Sequence, residues 1–281
     1  MTQTEAQTQT TPDADADRAL KAKHRALWAL GDYPAVAEEV IPDLGPALVE
    51  ACGVQAGQRV LDVAAGSGNA SLPAARRGAQ VVASDLTPEL LERGRATAVA
   101  EGLDLEWREA DAERLPFADH TFDTVLSCVG VMFAPHHQQA ADELVRVCRS
   151  GGTIGVLSWT PEGFIGQLFA TMKPYVAAPP AGVQPPPLWG REDHVRELLG
   201  DRVRDVRAER RSLRVQRFGQ PEEFRDFFKA TYGPTIAAYR NVAADPDRVA
   251  ALDQDLVDLA RRSHDGAGMA WEYLLLTARK I

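Results

Sequence analysis

The chain has 281 residues, 45% of them apolar and 25% charged, enough to bury a full core in one large α/β domain or in a domain with an attached cap. Its formal net charge of −9 argues against a nucleic-acid partner, because such a chain has no cationic field to collect phosphates. The three cysteines, Cys52, Cys128 and Cys148, are widely spaced and odd in number. They predict neither a disulfide framework nor a zinc site, and favour a reducing compartment such as the cytoplasm.

The N-terminal part of the chain divides into a polar tail and a helical segment. Residues 1–17 lack the basic flank and apolar core of a signal peptide and contain few apolar side chains, so we expect a disordered tail. Residues 18–56 have apolar side chains at helical spacing, broken by Pro42 and Pro46, which predicts an N-terminal helical segment. No apolar run reaches the roughly 20 residues needed to span a bilayer.

Residues 57–160 alternate strand-like apolar runs with helical patterns. We predict five strands, at 59–64, 80–84, 103–108, 123–129 and 153–159. We predict three helices between them, at 69–77, from Pro88 to near Gly102, and at 136–148. This alternation is typical of a doubly wound parallel sheet.

The remaining residues are expected to cover and extend this sheet. Residues 161–200 contain a helical pattern and a proline-rich loop, which we interpret as a cap or lid. Residues 201–281 are expected to add strands at 202–215 and 269–281 to one edge of the sheet, with a helical insertion between them. The arginine-rich stretch "RVRDVRAERRSLRV" includes acidic residues and alternates with apolar ones, so it favours an exposed edge strand over a nucleic-acid patch.

The stretch "VLDVAAGSGNAS", residues 60–71, runs the first strand into a glycine-rich turn where an open parallel sheet binds its ligand. A dinucleotide would put its pyrophosphate there, and Asp62 would then repel it. The third glycine of a G-x-G-x-x-G fingerprint is also replaced, by Ser71. S-adenosylmethionine fits better, because it has no phosphate and carries an ammonium group that a carboxylate can hold.

Four ordered motifs within residues 20–160 resemble the class I S-adenosylmethionine-dependent methyltransferases, in particular the small-molecule branch that includes the ubiquinone/menaquinone C-methyltransferases. They are "VLDVAAGSGNAS", "VVASDLTPELL", "READAERLPFADHTFD" and "FDTVLSCVGVMF" followed by "ELVRVCRSGGTIGVLSW". The resemblance implies a Rossmann-like sheet of seven strands, the last of them antiparallel, with a helical cap. It also implies S-adenosylmethionine as cofactor, S-adenosylhomocysteine as product and a small-molecule methyl acceptor.

The resemblance also assigns roles to residues of the motifs. Asp62 and the backbone of Ala64, Gly66 and Gly68 would hold the methionine end of the cofactor. Asp85 would accept hydrogen bonds from the ribose hydroxyls. The remaining motif roles are adenine binding by Leu86, Asp111 and Ala112, and lining of the transfer site by Ser127 and Cys128. N-terminal segments close over the methionine end in this family, so Trp28 and Tyr33 are candidates for that role, with simple core packing as the alternative.

Other candidates come from the residues themselves. His137 follows the fourth strand and is a candidate general base, although it and His136 also suit an ordinary helix start. Aromatic residues after the fifth strand are candidates for an acceptor pocket or for core packing: Trp159, Phe164, Phe169, Tyr175 and Trp189. No metal-ligand cluster is evident in the sequence, so a magnesium-dependent mechanism is not expected. An NAD(P)-dependent oxidoreductase and a non-catalytic S-adenosylmethionine-binding partner protein stay open, as do a monomer and a homodimer.

Overall fold

The computed structural model describes residues 14–281. Its seven β-strands belong to one sheet: β1 (Arg59–Val63), β2 (Gln80–Asp85), β3 (Glu106–Glu109), β4 (Phe122–Cys128), β5 (Cys148–Trp159), β6 (Val203–Val215) and β7 (Met269–Lys280). The order across the sheet is β3-β2-β1-β4-β5-β7-β6. Strands β1 to β5 pair in parallel, and β7 lies antiparallel between β5 and β6. The predicted seven-stranded sheet with an antiparallel last strand is therefore confirmed.

Helices connect and cover the strands over the same residues. They are α1 (Ala14–Trp28), α2 (Tyr33–Glu39), α3 (Leu44–Ala51), α4 (Ser71–Arg76), α5 (Pro88–Ala100), α6 (His137–Val147), α7 (Phe164–Met172), α8 (Glu192–Leu199), α9 (Pro221–Thr231), α10 (Gly233–Val242) and α11 (Pro246–Ser263). Short 3₁₀ turns follow β4 and α7 and precede α8 and β6. Within residues 14–281 no helix is both long enough and apolar enough to cross a lipid bilayer.

The sheet is buried where helices cover both of its faces, and exposed at the β6 edge. After its first residue, β1 is buried throughout, as expected of a central parallel strand. Strand β6 has only Val203, Leu213 and Val215 buried among its thirteen residues. Its arginines are exposed at the edge of the sheet, which confirms the prediction of a charged edge strand.

Three element boundaries differ by three or more residues from those predicted. Helix α1 begins at Ala14, so residues 14–17 are helical, and the rest of the expected tail, 1–13, lies outside the described residues. Strand β3 begins at Glu106 rather than 103, because the N–H of Leu103 still donates to Ala98 at the end of α5. Strand β5 begins at Cys148 rather than 153, because Cys148 pairs with Phe122 across an irregular stretch of the ladder.

Candidate functional site

A cavity opens at the carboxyl ends of the central strands, beneath α1 and the start of α2. Eight of the eleven residues predicted to bind the cofactor line it: Trp28, Tyr33, Ala64, Gly66, Asp85, Leu86, Asp111 and Ala112. The remaining predicted cofactor residues, Asp62, Gly68 and Ser127, are not among its lining residues. The position of the cavity follows from the topology, because loops after neighbouring parallel strands meet at one edge of the sheet.

The turns after β1 and β4 approach each other closely at this cavity. Ala64 and Val129 both have a left-handed backbone, with φ of 54° and 58°, which is uncommon for any residue with a side chain and especially for a β-branched one. A Cβ atom on Gly130 would lie 2.1 Å from the carbonyl oxygen of Ala64, so only glycine allows this approach. Backbone strain of this kind concentrates at ligand sites, and both strained residues line the cavity.

Asp85 connects the loops after β1 and β2. Its Oδ2 accepts a hydrogen bond from the N–H of Gly66 at 2.8 Å, and its Oδ1 accepts one from the N–H of Thr87 at 2.8 Å. Burial raises the pKa of Asp85, while these backbone donors act in the opposite direction. Each oxygen has a second lone pair, so the carboxylate can still accept two hydrogen bonds from a ligand.

Asp62 lies on β1 directly beneath the turn and is almost fully buried. The hydroxyl of Ser71 donates to its Oδ2 at 2.6 Å, but its Oδ1 has no hydrogen-bond partner in the described part of the chain. Burial raises the pKa of Asp62 to about 7, against the opposing effect of the Ser71 hydrogen bonds. A buried carboxylate oxygen without a donor is costly, so this position favours a ligand that brings a cationic donor.

Ion pairs hold α1 against the other end of the cavity. Lys21 Nζ lies 2.5 Å from Asp111 Oδ2, 2.8 Å from Glu113 Oε2 and 3.0 Å from Asp17 Oδ2. Burial lowers the pKa of Lys21, but the carboxylates of Asp111 and Glu113 raise it further, and the net shift is upward. The sequence did not single out Lys21, because a lysine on an amphipathic helix is usually solvated.

A group of three potential metal ligands lies beside this lysine. Ligand atoms of Asp17, Glu113 and His136 lie within 4.8 Å of one another. The ring nitrogen Nδ1 of His136 is 2.9 Å from Glu113 Oε2, and the Lys21 ammonium contacts both carboxylates. Lys21 already supplies positive charge to the two acids, so we interpret the group as an ion-pair network rather than a metal site.

Two predicted residues have structural roles outside the cavity. The hydroxyl of Ser127 donates to the Val63 carbonyl at 2.7 Å and accepts from the Val131 N–H at 2.8 Å, which ties β4 to β1. Gly68 lies behind the turn, where an added Cβ would be 3.1 Å from the Trp107 ring. Both residues shape the glycine turn without lining the cavity.

His137, the candidate general base, does not line the cavity, so the structure contradicts that role. Its side chain is fully buried, with Nδ1 2.9 Å from His194 Nε2 and the ring beside Trp189. Burial lowers the pKa of His137 to about 3, with neighbouring histidines adding to the shift. Consecutive residues on a helix point about 100° apart, and it is His136 that faces Glu113 and α1.

A second cavity shares Tyr33, Val129 and Phe133 with the first. Its other lining residues are Val36, Ile41, Trp159, Ile165, Phe228, Tyr232 and Trp271. Of the predicted acceptor-pocket residues, Trp159 lines this cavity. Four others do not: Phe164 stacks on Trp271 with ring centroids 4.8 Å apart, Trp189 lies against His137, Phe169 contacts Phe133, and the hydroxyl of Tyr175 donates to Asp255.

Cys128 is buried at the end of β4 and lines neither cavity, although Val129 beside it lines both. Burial raises the pKa of its thiol. Four aromatic residues of the second cavity were not predicted: Phe133, Phe228, Tyr232 and Trp271. The last three come from distant C-terminal segments.

Comparison with known proteins agrees with this geometry. Residues 61–156 match the family model described as "Methyltransferase domain". An uncharacterized protein of Mycobacterium tuberculosis is 58% identical over 92% of this chain and 94% of its own length. The demethylmenaquinone methyltransferase of Thermus thermophilus is 39% identical over 38% of this chain and 50% of that protein. The crystal structure of a putative methyltransferase from Bacillus halodurans superposes with a TM-score of 0.56, at 21% identity, over 84% of this chain and 98% of that one.

The strand order, the glycine turn and the acid that ends β2 define a Rossmann-like methyltransferase fold. The chain belongs to the class I S-adenosylmethionine-dependent methyltransferases, and S-adenosylmethionine is its cofactor. The residues present fit this cofactor, because the unpartnered Oδ1 of Asp62 can receive an ammonium donor and both oxygens of Asp85 retain acceptor capacity.

We expect Lys21→Met to weaken S-adenosylhomocysteine binding by about tenfold and to speed hydrogen exchange across α1. The substitution leaves the carboxylates of Asp111, Glu113 and Asp17 without their ammonium partner, which is unfavourable in a partly buried site. Calorimetry and hydrogen exchange measure the two effects. Lys23→Met is the matched control, because Lys23 is exposed on the same helix. Unchanged affinity and exchange in Lys21→Met would show that the ion pairs do not hold α1 over the site.

Proposed function

We propose that the protein transfers a methyl group from S-adenosylmethionine to an oxygen, carbon or nitrogen atom of a small hydrophobic or aromatic molecule. The observation that carries the proposal is the pair of adjoining cavities, of which the first has polar groups suited to the cofactor and the second is lined by aromatic and aliphatic side chains. They share Tyr33, Val129 and Phe133, so a ligand in one can contact a ligand in the other.

In this proposal the cofactor is held by residues that line the first cavity and by Asp62, which lies beneath it. Asp62, Ala64 and Gly66 hold the methionine end, and Asp85 accepts from the ribose hydroxyls. Leu86, Asp111 and Ala112 contact the adenine, while Trp28 and Tyr33 cover the site from the N-terminal side. We also propose that residues 57–160 are the cofactor-binding core, that 18–56 close it, and that 161–200 and 201–281 complete the cap and the sheet.

The chemistry requires little beyond placement. The cofactor supplies a sulfonium methyl group, which bonds to the acceptor atom while the sulfur keeps the electron pair of the broken bond. The acceptor loses its proton to solvent or to a nearby base. Among the residues that line the second cavity there is no histidine, lysine or carboxylate. In this proposal the protein accelerates methyl transfer by orienting the cofactor and the acceptor and by excluding water, which account for large rate effects in enzymes.

Calorimetry with S-adenosylhomocysteine and NAD tests the proposal. We expect S-adenosylhomocysteine to bind and NAD not to bind, because Asp62 lies beneath the glycine turn where a pyrophosphate would have to bind. Binding of NAD alone would favour an oxidoreductase. Binding of S-adenosylhomocysteine without methyl transfer from labelled S-adenosylmethionine to any ring compound tested would favour a non-catalytic partner protein. A cytoplasmic location and a monomeric or homodimeric state, with no nucleic-acid partner, belong to the same proposal.

A further inference from the structure

We propose that the second cavity accepts an uncharged ring compound and that the indole N–H of Trp271 donates a hydrogen bond to an oxygen of that compound. This inference rests on the proposed function and narrows it to one class of acceptor. Trp271 is then a specificity-determining residue, contributed by the last strand of the sheet.

The side chains that line the second cavity indicate that its ligand is uncharged. All ten side chains around the cavity are aromatic or aliphatic, and the only polar groups they carry are two tyrosine hydroxyls and two indole N–H groups. Nearby charged groups on the same strands are engaged elsewhere, such as Glu272, which accepts from Thr160 and pairs with Arg210. A carboxylate or phosphate in this cavity would be desolvated without a cationic partner, at a large cost in free energy.

We infer the hydrogen bond from the indole N–H group of Trp271, which is buried and has no acceptor among the described residues. Trp271 is 1% exposed, and its Nε1 has no hydrogen-bond partner in residues 14–281. The rings of Phe164, Phe228 and Trp159 contact it and carry no hydrogen-bond acceptor. Buried N–H groups almost always have a partner, so an orphan beside a cavity indicates a ligand atom that completes it.

The protein also contains a matched control. Trp189 is fully buried, and its Nε1 likewise has no partner in the described part of the chain, but it lies against His137 and lines neither of the two cavities. A general effect of removing a buried indole can therefore be separated from an effect on the cavity.

The cavity is narrow in the ligand-free chain, so a bound ring must displace part of its wall. The backbones of Trp159 and Trp271, on β5 and β7, are held inside the sheet by strand pairing. Tyr33 and Phe133 are only partly buried and lie between the two cavities. We expect these two side chains to move when the ring enters, which places it next to the cofactor site.

Three naphthalene compounds test the inference without knowledge of the natural acceptor. Binding of 2-naphthol, naphthalene and 2-naphthoate is measured by tryptophan fluorescence in the presence of saturating S-adenosylhomocysteine, at a pH where 2-naphthol is neutral. We expect 2-naphthol to bind about three- to tenfold tighter than naphthalene, the effect of one neutral hydrogen bond. We expect 2-naphthoate to bind at least about a hundredfold more weakly than 2-naphthol.

The variants Trp271→Phe and Trp189→Phe assign the hydrogen bond. The preference for 2-naphthol over naphthalene should fall to about one in Trp271→Phe and persist in Trp189→Phe, and calorimetry is the readout because one fluorophore is lost. A preference that survives in Trp271→Phe, or tight binding of 2-naphthoate, would overturn the inference. If Trp271→Phe does not fold, equal binding of 2-naphthol and naphthalene to the wild type overturns it as well.

Measurement of S-adenosylhomocysteine binding distinguishes failure of the acceptor class from failure of the proposed function. Binding of S-adenosylhomocysteine together with failure of all three ring compounds would overturn the acceptor class and leave cofactor binding intact. Failure of S-adenosylhomocysteine itself would overturn the proposed function, and the three compounds would then be compared without it.

Discussion

Replacement of Asp85 by alanine is expected to weaken S-adenosylhomocysteine binding by about 10- to 150-fold, the effect of losing roughly 1.5–3 kcal/mol of hydrogen bonds to a charged group. Two contributions add up. The ribose hydroxyls lose their acceptor, and the N–H groups of Gly66 and Thr87 lose the carboxylate that positions their loops. Calorimetry measures the affinity, and thermal unfolding of the ligand-free protein measures the second contribution separately.

Asp85→Asn and Asp104→Ala complete this experiment. The asparagine variant keeps one acceptor oxygen and should lie between wild type and Asp85→Ala in affinity. Asp104 is exposed in the connection between α5 and β3, so its replacement should change neither affinity nor stability. Wild-type affinity in a folded Asp85→Ala protein would contradict the assignment of Asp85 to the ribose.

Asp62 is expected to make cofactor binding depend on pH in the neutral range. The pKa of Asp62 in the ligand-free protein is raised by burial to about 7. In the proposed binding mode the cofactor ammonium pairs with the ionised form. The affinity for S-adenosylhomocysteine should therefore fall by up to about tenfold for each pH unit below 7 and level off above it. Asp62→Asn should bind weakly at all these pH values, with a flat profile, as measured by calorimetry between pH 5.5 and 8.

The same shift has the opposite effect on the stability of the ligand-free protein. A carboxyl group whose pKa is higher in the folded than in the unfolded chain holds more protons when folded, so its contribution to stability decreases as pH rises from about 4 to about 7. Asp62→Asn should remove this decrease and unfold at a higher temperature than wild type at pH 8. Identical pH profiles for the two proteins, in binding and in unfolding, would show that Asp62 stays ionised without the cofactor.

The first cavity was largely predictable because its determinants are local in sequence. Gly66 follows β1 and Asp85 ends β2, and the parallel sheet brings the ends of these two strands together without further information. Lys21 was not predictable, since its role depends on where α1 docks rather than on the pattern of its own helix.

The second cavity and the position of His137 depend on details that the sequence does not determine. Phe228, Tyr232 and Trp271 converge only because β7 enters the sheet beside β5, next to Trp159. The spacing of an aromatic residue in the sequence does not show whether its side chain lines a cavity or packs against another ring. The direction of the His137 side chain was also not predictable. Consecutive residues on a helix point about 100° apart, so the exact start of α6 decides which of the two histidines faces the site.

The position of β7 between β5 and β6 has a consequence for synthesis on the ribosome. Strand β6 leaves the ribosome before β7, the strand that supplies its ladder within the sheet, and three further helices are made in between. A nascent strand without its partner is a template for aggregation, and charged side chains are the common protection against it. Four of the five arginines of β6 pair with acids at the edge of the folded sheet. We therefore expect these charges also to keep the unpaired strand from aggregating until the twelve residues of β7 are made.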